Sequence, residues 1–513
     1  MEKYLSVAEM IAIEKAADAS GHTYQKMMAQ AGASLAEYIG LAHRQLKGKK
    51  ILGLVGRGNN GGDALVAMSL LQQRGWKTTA YLSAYRIDDL LVEEYVESGG
   101  KLVYFSDDTK LKKLTKLVNA TNLLIDGLLG TGIQLPLREP IPRVLAAVNQ
   151  AINHREEKPY VVAVDCPSGV DSDKGKAAEE CIPADLTVCM AAVKQGLLKL
   201  PAFGLIGKLV VGDIGLTAEL PEWARIKRKV LDHAILLQMP PRPLSAHKGT
   251  FGTGLVIGGS RAFAGAVLLA GKAAFRVGAG WVNLAVPHSI QNGLIGAFPE
   301  ATWMPLPDDQ GVISRSAAEV VENGLTKETA ILIGPGLGLE TTTKKFFDRL
   351  LDPKLPPMVI DADGLKLAAK FDKWWKRLPK NSILTPHPGE MSILSGLRVS
   401  EIQANRVATA ERFASSWGHI VVLKGAFTVV AEPGGKTAIL PLATPALARA
   451  GTGDVLAGII VGLRAQGMGA FEAACAGVWL HAEAGLLAAE EVGSTAGVLA
   501  GDLIEMLPWL LPA

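Results

Sequence analysis

Short apolar runs alternate with amphipathic stretches along most of the chain. The runs are rich in Val, Leu and Ile and end at turn residues, as buried strands do; the first ones lie at residues 51–55, 79–83, 122–126 and 161–165. Between them, stretches such as Ala64–Arg74 have apolar positions at helical spacing. This alternation predicts βαβ units and a parallel sheet, preceded by a helical region before residue 46.

A second series of the same kind begins near residue 252. Its strand-like runs read GLVIGG, VNLAVP, AILIGPG, PMVIDAD, SILTPHPGE, IVVLKG and TVVAE, and an Ala- and Gly-rich helical region, Gly453–Leu510, follows them. Between the two series, Thr217–Pro243 is charged at first and closes with PPRP, where proline stiffens a connector. Because the halves share no sequence similarity, we predict two different α/β domains, residues 1–220 and 228–513.

Composition narrows the class of protein. Lys and Arg total 53 and Asp and Glu total 50 in 513 residues, and this near-neutral balance argues against a strongly basic nucleic-acid-binding protein. The four cysteines lack Cys-x-x-Cys spacing, and no apolar run reaches the roughly 18–20 residues of a membrane span. We therefore expect a cytoplasmic protein with neither a nucleic-acid nor a membrane partner. The 56 glycines cluster in short loops after apolar runs, where the backbone can approach a ligand.

The first such loop follows residues 51–55 and reads GRGNNGGDA. Its glycines fit the pattern G-x-G-x-x-G at Gly56, Gly58 and Gly61, and the N-terminus of the helix that follows would attract a phosphate. The next strand lacks the acidic residue of the dinucleotide-binding fingerprint, which argues against ordinary NAD-dehydrogenase binding. A glycine turn that serves packing alone is the alternative. The polar side chains of Asn59, Asn60 and Asp63 favour a ligand site, because burying them without partners is costly.

Two further strands end at an aspartate. Asp126 leads into GLLGTGIQLP, and Asp165 leads into CPSGVD. A single aspartate at a strand end is most often a helix cap. The carboxyl ends of parallel strands meet at one edge of an open sheet, however, so three polar loops there predict a site.

The three motifs GNNGGD, IDGLLGTG and VDCPSG, in this order, resemble the YjeF N-terminal domain of the NAD(P)H-hydrate epimerase family, over roughly residues 1–216. The resemblance implies a Rossmann-like α/β/α fold and a potassium ion held by Asn60, Asp126 and Ser168. It implies substrate contacts from Asn59, Asn60, Gly61, Gly62, Asp63, Gly130, Thr131, Gly132, Ile133, Gln134, Leu135, Pro136 and Asp165. Asp165 is then the candidate acid/base for inversion at C6 of the hydrated nicotinamide.

The second half contains AGTGDVL at residues 450–456. Gly451 and Gly453 would open a helix N-terminus that binds an anion, and Asp454 would lie in its first turn. A carboxylate beside an anion site can deprotonate a hydroxyl while phosphate is transferred to it. A capped, tightly packed helix is the alternative. The Gly-Lys-Thr at residues 435–437 is not a P-loop, because Val430 stands where that motif needs its first glycine.

Two other positions suggest substrate contacts. His387 lies between two prolines in LTPHPGE, where a rigid turn would aim its imidazole at a ligand, although a lone histidine is more often structural. Lys424 precedes Gly425 on a loop in VLKGAFTVV, where it could neutralise a phosphate, although a surface salt bridge is the default.

With HKGTFGTGLVIGGS, FAGAVLLAG, IGPGLG and DADGL, these motifs resemble the ADP-dependent NAD(P)H-hydrate dehydratase family, over roughly residues 228–513. The resemblance implies a ribokinase-like α/β/α fold. It implies that the hydrated dinucleotide contacts Ala266, Gly336, His387 and Asp454, with Asp454 as the base. It implies that the adenine nucleotide contacts Lys424, Gly425, Ala426, Phe427, Thr428 and Gly453.

Together the resemblances imply that one domain epimerises the R and S forms of hydrated NADH and NADPH (NADHX and NADPHX). The other domain would phosphorylate the C6 hydroxyl of the S form from ADP, with Mg²⁺, and eliminate phosphate to leave NAD(P)H and AMP. Two alternatives stay open: a ribokinase-like kinase of a vitamin precursor with a regulatory N-terminal domain, and a non-enzymatic protein whose first domain is a ligand-sensing or protein-binding scaffold. We expect a homo-oligomer, although no coiled-coil pattern indicates a subunit number.

Overall fold

The chain divides into two units, Glu2–Arg228 and Lys229–Ala513, with Met1 grouped with the second. The structure is a computed structural model that describes residues 1–42 and 50–512. The helical region predicted before residue 46 contains two helices, and residues 43–45 lie outside the described residues.

The first unit alternates strands and helices as predicted. Its elements in chain order are β1 Tyr4–Leu5, α1 Val7–Ala19, α2 Tyr24–Ala42, β2 Lys50–Val55, α3 Asn59–Gln73, β3 Lys77–Leu82, α4 Leu90–Glu97, β4 Lys101–Tyr104, α5 Lys112–Ala120, β5 Leu123–Gly127, α6 Ile141–Asn153, β6 Tyr160–Val164, β7 Leu186–Met190, β8 Val193–Lys194, β9 Lys208–Gly212 and α7 Pro221–Ala224. Seven of these strands form one parallel sheet in the order β4-β3-β2-β5-β6-β7-β9.

This strand order places a switch point between β2 and β5. Strands β3 and β4 lie on one side of β2 in the sheet, and the later strands β5, β6, β7 and β9 lie on the other side. The residues of β5 are all buried, as expected for the centre of a sheet with helices on both faces. The loops after β2 and β5 therefore diverge at the carboxyl edge and leave a crevice where ligands of open α/β sheets bind.

The second unit also alternates strands and helices around one main sheet, and this sheet is larger than that of the first unit. Its elements are β10 Arg228–Val230, β11 Thr253–Ile257, α8 Ala264–Arg276, β12 Trp281–Pro287, α9 His288–Ile295, β13 Thr302–Leu306, β14 Asp308–Asp309, β15 Val312–Ile313, α10 Ala317–Gly324, β16 Ala330–Ile333, α11 Thr341–Leu350, β17 Met358–Ile360, α12 Asp363–Ala368, β18 Ile383–Leu384, α13 Pro388–Ser395, α14 Val399–Ala404, α15 Arg406–Trp417, β19 Ile420–Leu423, β20 Val429–Ala431, β21 Thr437–Ile439, α16 Thr452–Ala465, α17 Ala470–Val492 and α18 Ala500–Leu510.

Ten strands of the second unit form one sheet in the order β10-β21-β20-β19-β18-β17-β16-β11-β12-β13. The strands from β19 to β13 run parallel, and β20 and β21 are antiparallel. The switch point lies between β11 and β16, so the loops after these strands face one crevice. No helix within the described ranges, 1–42 and 50–512, is long and apolar enough to cross a membrane.

One boundary differs from the sequence prediction. Helix α3 begins at Asn59 rather than near Ala64, so the motif predicted as a loop over Gly56–Asp63 is mostly the first turns of a helix. Glycine is a poor helix former, which is why the pattern predicted a loop; packing and backbone contacts override that weak preference here. The predicted helix start at Gly451 and Gly453 is confirmed, because Gly451 is the N-cap of α16 and Asp454 lies in its first turn.

Helix α16 packs closely on α8 because Gly458 has no side chain. A Cβ added at Gly458 would lie 2.2 Å from the Ala270 carbonyl oxygen. We expect Gly458→Ala to lower the unfolding free energy of the second unit by about 1–3 kcal/mol, the usual cost of overpacking. Gly293→Ala is the matched control, since a Cβ at this position in α9 meets nothing within 4 Å, and it should be neutral or stabilising by up to about 1 kcal/mol. Calorimetric midpoints of both variants measure the difference, and equal midpoints would contradict the close-packing account.

Candidate active sites

Glycines let three backbone segments meet at the switch point of the first unit. A Cβ at Gly56 would lie 1.8 Å from the Leu128 carbonyl oxygen, and a Cβ at Gly61 would lie 2.2 Å from the Gly56 carbonyl oxygen. The Arg86 guanidinium donates to the carbonyl oxygens of Gly56 and Gly58, at 2.6 and 3.1 Å. The turn after β2 is thus held against the loop after β5, as close backbone approach requires.

The three residues predicted to bind potassium lie close together beside this turn. Ser168 donates from its backbone N–H and its hydroxyl to the two Asp126 carboxylate oxygens, at 2.8 and 2.5 Å. The Asn60 side-chain amide donates to the carbonyl oxygens of Val164 and Leu129, at 2.5 and 3.3 Å. Because the Asn60 N–H groups are used in this way, its Oδ1 is the atom left for a cation.

Asp126 is 1% exposed and has no cationic partner among the described residues. Burial raises the pKa of its carboxyl, and the Ser168 hydrogen bonds oppose that rise. A buried carboxylate beside an amide oxygen and a hydroxyl is a set of hard oxygen donors. The chemistry of these donors therefore fits a bound monovalent cation.

Asp165 lies directly after β6 and forms a buried ion pair with Lys194 of β8. The same carboxylate oxygen accepts from the Met190 N–H at 2.9 Å, and the Lys194 ammonium also donates to the Met190 carbonyl oxygen at 2.7 Å. Burial disfavours the charge on Lys194, but the Asp165 carboxylate outweighs burial, and the pKa of Lys194 is raised. Lys194 therefore keeps its positive charge in the interior, next to Asp165.

Asp63 is a second buried carboxyl, and the charges of Asp165 and Lys194 act on it. It lies in α3, is 6% exposed, and its side chain has no hydrogen bond or ion pair among the described residues. Burial, with the charges of Asp165 and Glu14, raises its pKa well above the ordinary value. Burial likewise raises the pKa of Glu14, which projects from α1.

The other predicted residues of the first unit separate into two groups. Asn59 is exposed at the start of α3, and the loop from Gly130 to Pro136 is half-buried to exposed, so both are accessible to a ligand. A Cβ at Gly62 would lie 2.8 Å from Met28 Sδ, so this glycine lets α2 approach α3. Gly130 abuts the Asn60 side chain, because a Cβ at Gly130 would lie 2.3 Å from Asn60 Oδ1.

In the second unit, Lys424 follows β19 and is not the surface residue expected by default. Its ammonium lies 2.6 Å from the Asp361 carboxylate and 3.9 Å from that of Glu390, and all three side chains are largely buried. Burial disfavours its charge, but Asp361 and Glu390 outweigh burial, and the pKa of Lys424 is raised. Thr385 donates to the same Asp361 oxygen at 2.7 Å.

Asp454 lies in the first turn of α16, beside this ion pair. Burial and the nearby charge of Asp361 raise its pKa to about 7, while Lys424 opposes the rise. Gly453 is next to the lysine as well, since a Cβ there would lie 3.4 Å from Lys424 Nζ. A half-buried carboxyl that titrates near neutrality, beside an ammonium and a helix N-terminus, can exchange a proton with a hydroxyl.

His387 has a structural role as a helix cap, and the sequence analysis gave a structural role as the more frequent one for a lone histidine. Its Nδ1 caps α13 by accepting from the N–H groups of Gly389 and Glu390, at 3.0 and 3.4 Å. Its Nε2 lies 3.3 Å from a carboxylate oxygen of Glu390, and half of the side chain is exposed. With Nδ1 accepting, the neutral ring carries its proton on Nε2, where it faces the Glu390 carboxylate.

The remaining predicted residues of the second unit lie at carboxyl ends of its strands. Gly336 follows β16 and touches Ala266 of α8, because a Cβ at Gly336 would lie 3.1 Å from the Ala266 Cβ. On the loop after β19, Gly425 and Ala426 are exposed while Phe427 and Thr428 are buried. Thr428 donates to the Gly425 carbonyl oxygen at 2.8 Å and thereby shapes that loop.

Two family models match the chain, one in each unit. The model described as YjeF-related protein N-terminus matches residues 24–196, and the model described as NAD(P)H-hydrate dehydratase matches residues 254–509. The bifunctional NAD(P)H-hydrate repair enzyme of Moorella thermoacetica is 38% identical over 91% of this chain and 88% of its own length. The chain belongs to the family of bifunctional NAD(P)H-hydrate repair enzymes.

Other members of the repair enzyme family are similar over most of their length. The Escherichia coli bifunctional NAD(P)H-hydrate repair enzyme is 34% identical over 96% of this chain and 90% of its own length. Among solved structures, the ADP/ATP-dependent NAD(P)H-hydrate dehydratase of Bacillus subtilis, co-crystallised with ATP and Mg²⁺, is 32% identical. It covers 55% of this chain and 97% of its own, with a TM-score of 0.49. The predicted fold class, a Rossmann-like domain followed by a ribokinase-like one, is confirmed by the two family matches.

Four charged residues of this repair enzyme were missed by the sequence reasoning. Lys194 and Glu14 contribute to the first cluster, and Asp361 and Glu390 to the second. Asp361 stands directly after β17 in the motif DADGL, and Glu390 stands in the motif LTPHPGE at the start of α13, so their positions carried a signal. Lys194 and Glu14 lie outside the three motifs, and only the fold brings them to Asp165.

Removing the cation of the buried pair in the second unit should be costly. Lys424→Met leaves Asp361, with a side chain 2% exposed, without its counterion. We expect the unfolding free energy of the second unit to fall by about 3–5 kcal/mol, as for other broken buried pairs. Lys436→Met is the control, since its pair with Glu432 is largely exposed at 3.7 Å, and it should cost at most about 1 kcal/mol. Denaturant unfolding of both variants tests this, and similar losses would contradict a buried pair.

Proposed function

We propose that the two sites described above perform the two activities of this NAD(P)H-hydrate repair enzyme. The first unit interconverts the epimers of hydrated NADH and NADPH at C6, and the second dehydrates the S epimer. The observation that carries the residue assignment is the position of Asp454 in the first turn of α16, where the neighbouring Gly453 lies next to the Lys424 ammonium. Burial at this position raises the pKa of its carboxyl to about 7. Homo-oligomerisation and a cytoplasmic location stay predictions from the sequence.

In the first unit, we assign proton transfer at the C6 hydroxyl to Asp165. Lys194 and the Met190 N–H hold this carboxyl in one position at the end of β6. The exposed first residue of α3, Asn59, and the loop Gly130–Pro136 border the same crevice and would position the dinucleotide. The glycines at 61 and 62 act by letting the surrounding backbone and α2 come close.

Asn60, Asp126 and Ser168 would hold the potassium ion. When bound, the ion supplies a fixed positive charge that offsets the buried Asp126 carboxylate and favours anionic groups of the substrate nearby. The hydrogen bonds among these residues already set the positions of the donor oxygens.

In the second unit, Asp454 would accept the proton of the C6 hydroxyl as that oxygen takes the phosphoryl group of ADP. Elimination of phosphate then restores the dihydronicotinamide ring, with AMP as the other product. Lys424, Gly453 and the loop Gly425–Thr428 would bind the nucleotide, and Ala266, Gly336 and His387 the hydrated ring. The nucleotide thus converts a poor leaving group, hydroxide, into a good one.

Mg²⁺ would enter this site with the nucleotide phosphates. Asp361, Asp363 and Glu390 all contribute negative charge at Asp454, which suits a hard cation. Within the described residues, no three acidic, cysteine or histidine side chains form a metal-binding set on their own. This fits Mg²⁺, which usually keeps water and phosphate ligands beside one or two carboxylates. When bound, Mg²⁺ would stabilise charge on the transferred phosphoryl group.

The test of the dehydratase assignment is NADH formation from the S epimer with ADP, with ATP and without nucleotide. We expect nucleotide-dependent absorbance of NADH, and kcat that rises with pH through about 7 as Asp454 loses its proton. Asp454→Asn should lower kcat by about 10²–10⁴-fold, the usual contribution of a general base, and leave epimerisation intact. Asp502→Asn, a change in the first turn of α18, is the control. Dehydration near the wild-type rate in Asp454→Asn would show that another group is the base.

The potassium assignment predicts a selective effect of K⁺ on the stability of the first unit. A cation that binds the folded state raises its unfolding temperature, so wild-type protein should unfold at higher temperature in KCl than in choline chloride at equal ionic strength. Asp126→Asn removes the only charged donor of the set and should abolish this difference. Asp107→Asn, on the surface, should retain it. A K⁺ effect that survives in Asp126→Asn would place the ion elsewhere.

A further inference from the structure

We propose that Asp63 and Asp165 work as an acid and base pair in epimerisation, and that Lys194 is the positioning residue that holds the Asp165 carboxyl group in place. The proposal rests on the proposed function of the first unit and deepens it. Each residue comes from a different element: Asp63 from α3, Asp165 from the end of β6 and Lys194 from β8.

The two carboxyl groups have different hydrogen-bond surroundings. Asp165 receives the Lys194 ammonium and the Met190 N–H on one oxygen. Its backbone is fixed too, because its N–H donates to the Val188 carbonyl oxygen at 2.8 Å and its carbonyl oxygen accepts the Cys189 thiol at 3.3 Å. Asp63 has no hydrogen-bond donor among the described residues, although it is as deeply buried. Donors stabilise an ionised carboxylate, and burial without donors stabilises the protonated acid.

Other charged and titratable groups around the pair reinforce this difference. Glu14 of α1 adds negative charge beside both aspartates, and Arg86 adds positive charge near Asp63. Arg86 is already engaged, since its guanidinium pairs with Asp89 at 2.5 Å and donates to two carbonyl oxygens. The thiols of Cys166 and Cys189 are buried, and burial raises their pKa values, so they stay neutral. Lys194 is therefore the cation that stabilises the charge of Asp165.

Inversion at C6 needs one proton acceptor and one proton donor. The hydrated ring is a hemiaminal, with the hydroxyl carbon C6 bonded to ring nitrogen N1. Asp165 takes the hydroxyl proton, the oxygen electron pair forms the C6=O bond, and the C6–N1 bond breaks with its electron pair going to N1, which takes the proton of Asp63. Rotation about C5–C6 presents the other face of the aldehyde, and the reverse steps close the ring. Each aspartate regains its proton state, so no co-reactant is consumed.

The experiment measures the pH profile of epimer interconversion in the full chain, by chromatography of the R and S forms with ADP omitted so that dehydration does not run. Lys194→Met removes the positive charge that the Asp165 carboxyl group contacts. We expect the acidic limb of kcat in Lys194→Met to move upward by about one pH unit or more, with little change in KM. Lys194→Arg keeps the charge and should restore the limb toward the wild-type position.

Lys199→Met is the matched control. Lys199 is five residues away, and its ammonium donates to the Asp173 carbonyl oxygen at 2.7 Å rather than to Asp165. The acidic limb of kcat in Lys199→Met should lie at the same pH as in the wild type. An unshifted limb in Lys194→Met, or an equal shift in Lys199→Met, would overturn the role of Lys194, because a merely structural lysine lowers stability without moving the limb.

A second variant tests the acid and does not depend on the folding of Lys194→Met. Asp63→Asn keeps the size of the side chain but cannot release a proton, and should lower the kcat of epimerisation about 10²–10⁴-fold at every pH. Dehydration of the S epimer by the same polypeptide should be unaffected. Epimerisation within threefold of wild type would overturn the acid role. Failure of the proposed function gives different results. Wild-type protein would then invert the epimers no faster than the spontaneous rate, or Asp165→Asn would invert them as fast as wild type.

Discussion

Holding carboxylates away from water is the constraint on which both sites depend. Each unit buries an aspartate directly after a strand of its sheet, and each pairs it with a lysine at the end of another strand: Asp165 with Lys194 and Asp361 with Lys424. Desolvation of these charges is tolerated only because the partners and backbone donors replace water. The other carboxyls nearby lack such partners, and their proton affinity rises as a result. One physical arrangement thus produces both an ionised and a proton-carrying group in a small space.

The sheets explain why these groups meet. In each unit the strand order reverses once, and the loops on either side of the reversal carry the polar residues. Glycines at the reversal remove side chains that would separate the loops, as the contacts of Gly56 and Gly336 demonstrate. Phosphate and cation recognition by backbone amides and fixed oxygens needs no basic surface, which agrees with the near-neutral net charge.

Many of the strands and several of the site aspartates were predictable, because short stretches of neighbouring residues indicate them. Strands β2, β5 and β6 were recognised by their apolar runs, and Asp126, Asp165 and Asp454 by the glycine-rich turns beside them. The partners were not predictable by the same means: Lys194 lies 29 residues after Asp165, and Lys424 lies 63 residues after Asp361. Whether a lysine is buried depends on tertiary packing. The sequence pattern around Lys424 therefore predicted a surface position for its side chain. The early start of α3 was missed because glycine-rich segments rarely form the first turns of a helix.

Asp165 adopts a left-handed backbone conformation, with φ +64°, which side chains rarely occupy and glycine occupies freely. A glycine at this position would relax the turn, but it would leave the Lys194 ammonium buried without its counterion. Breaking a buried pair costs about 3–5 kcal/mol, more than the roughly 1–3 kcal/mol of strain at such a backbone position. The ion pair therefore holds the backbone of this turn in a conformation that the chain would otherwise avoid.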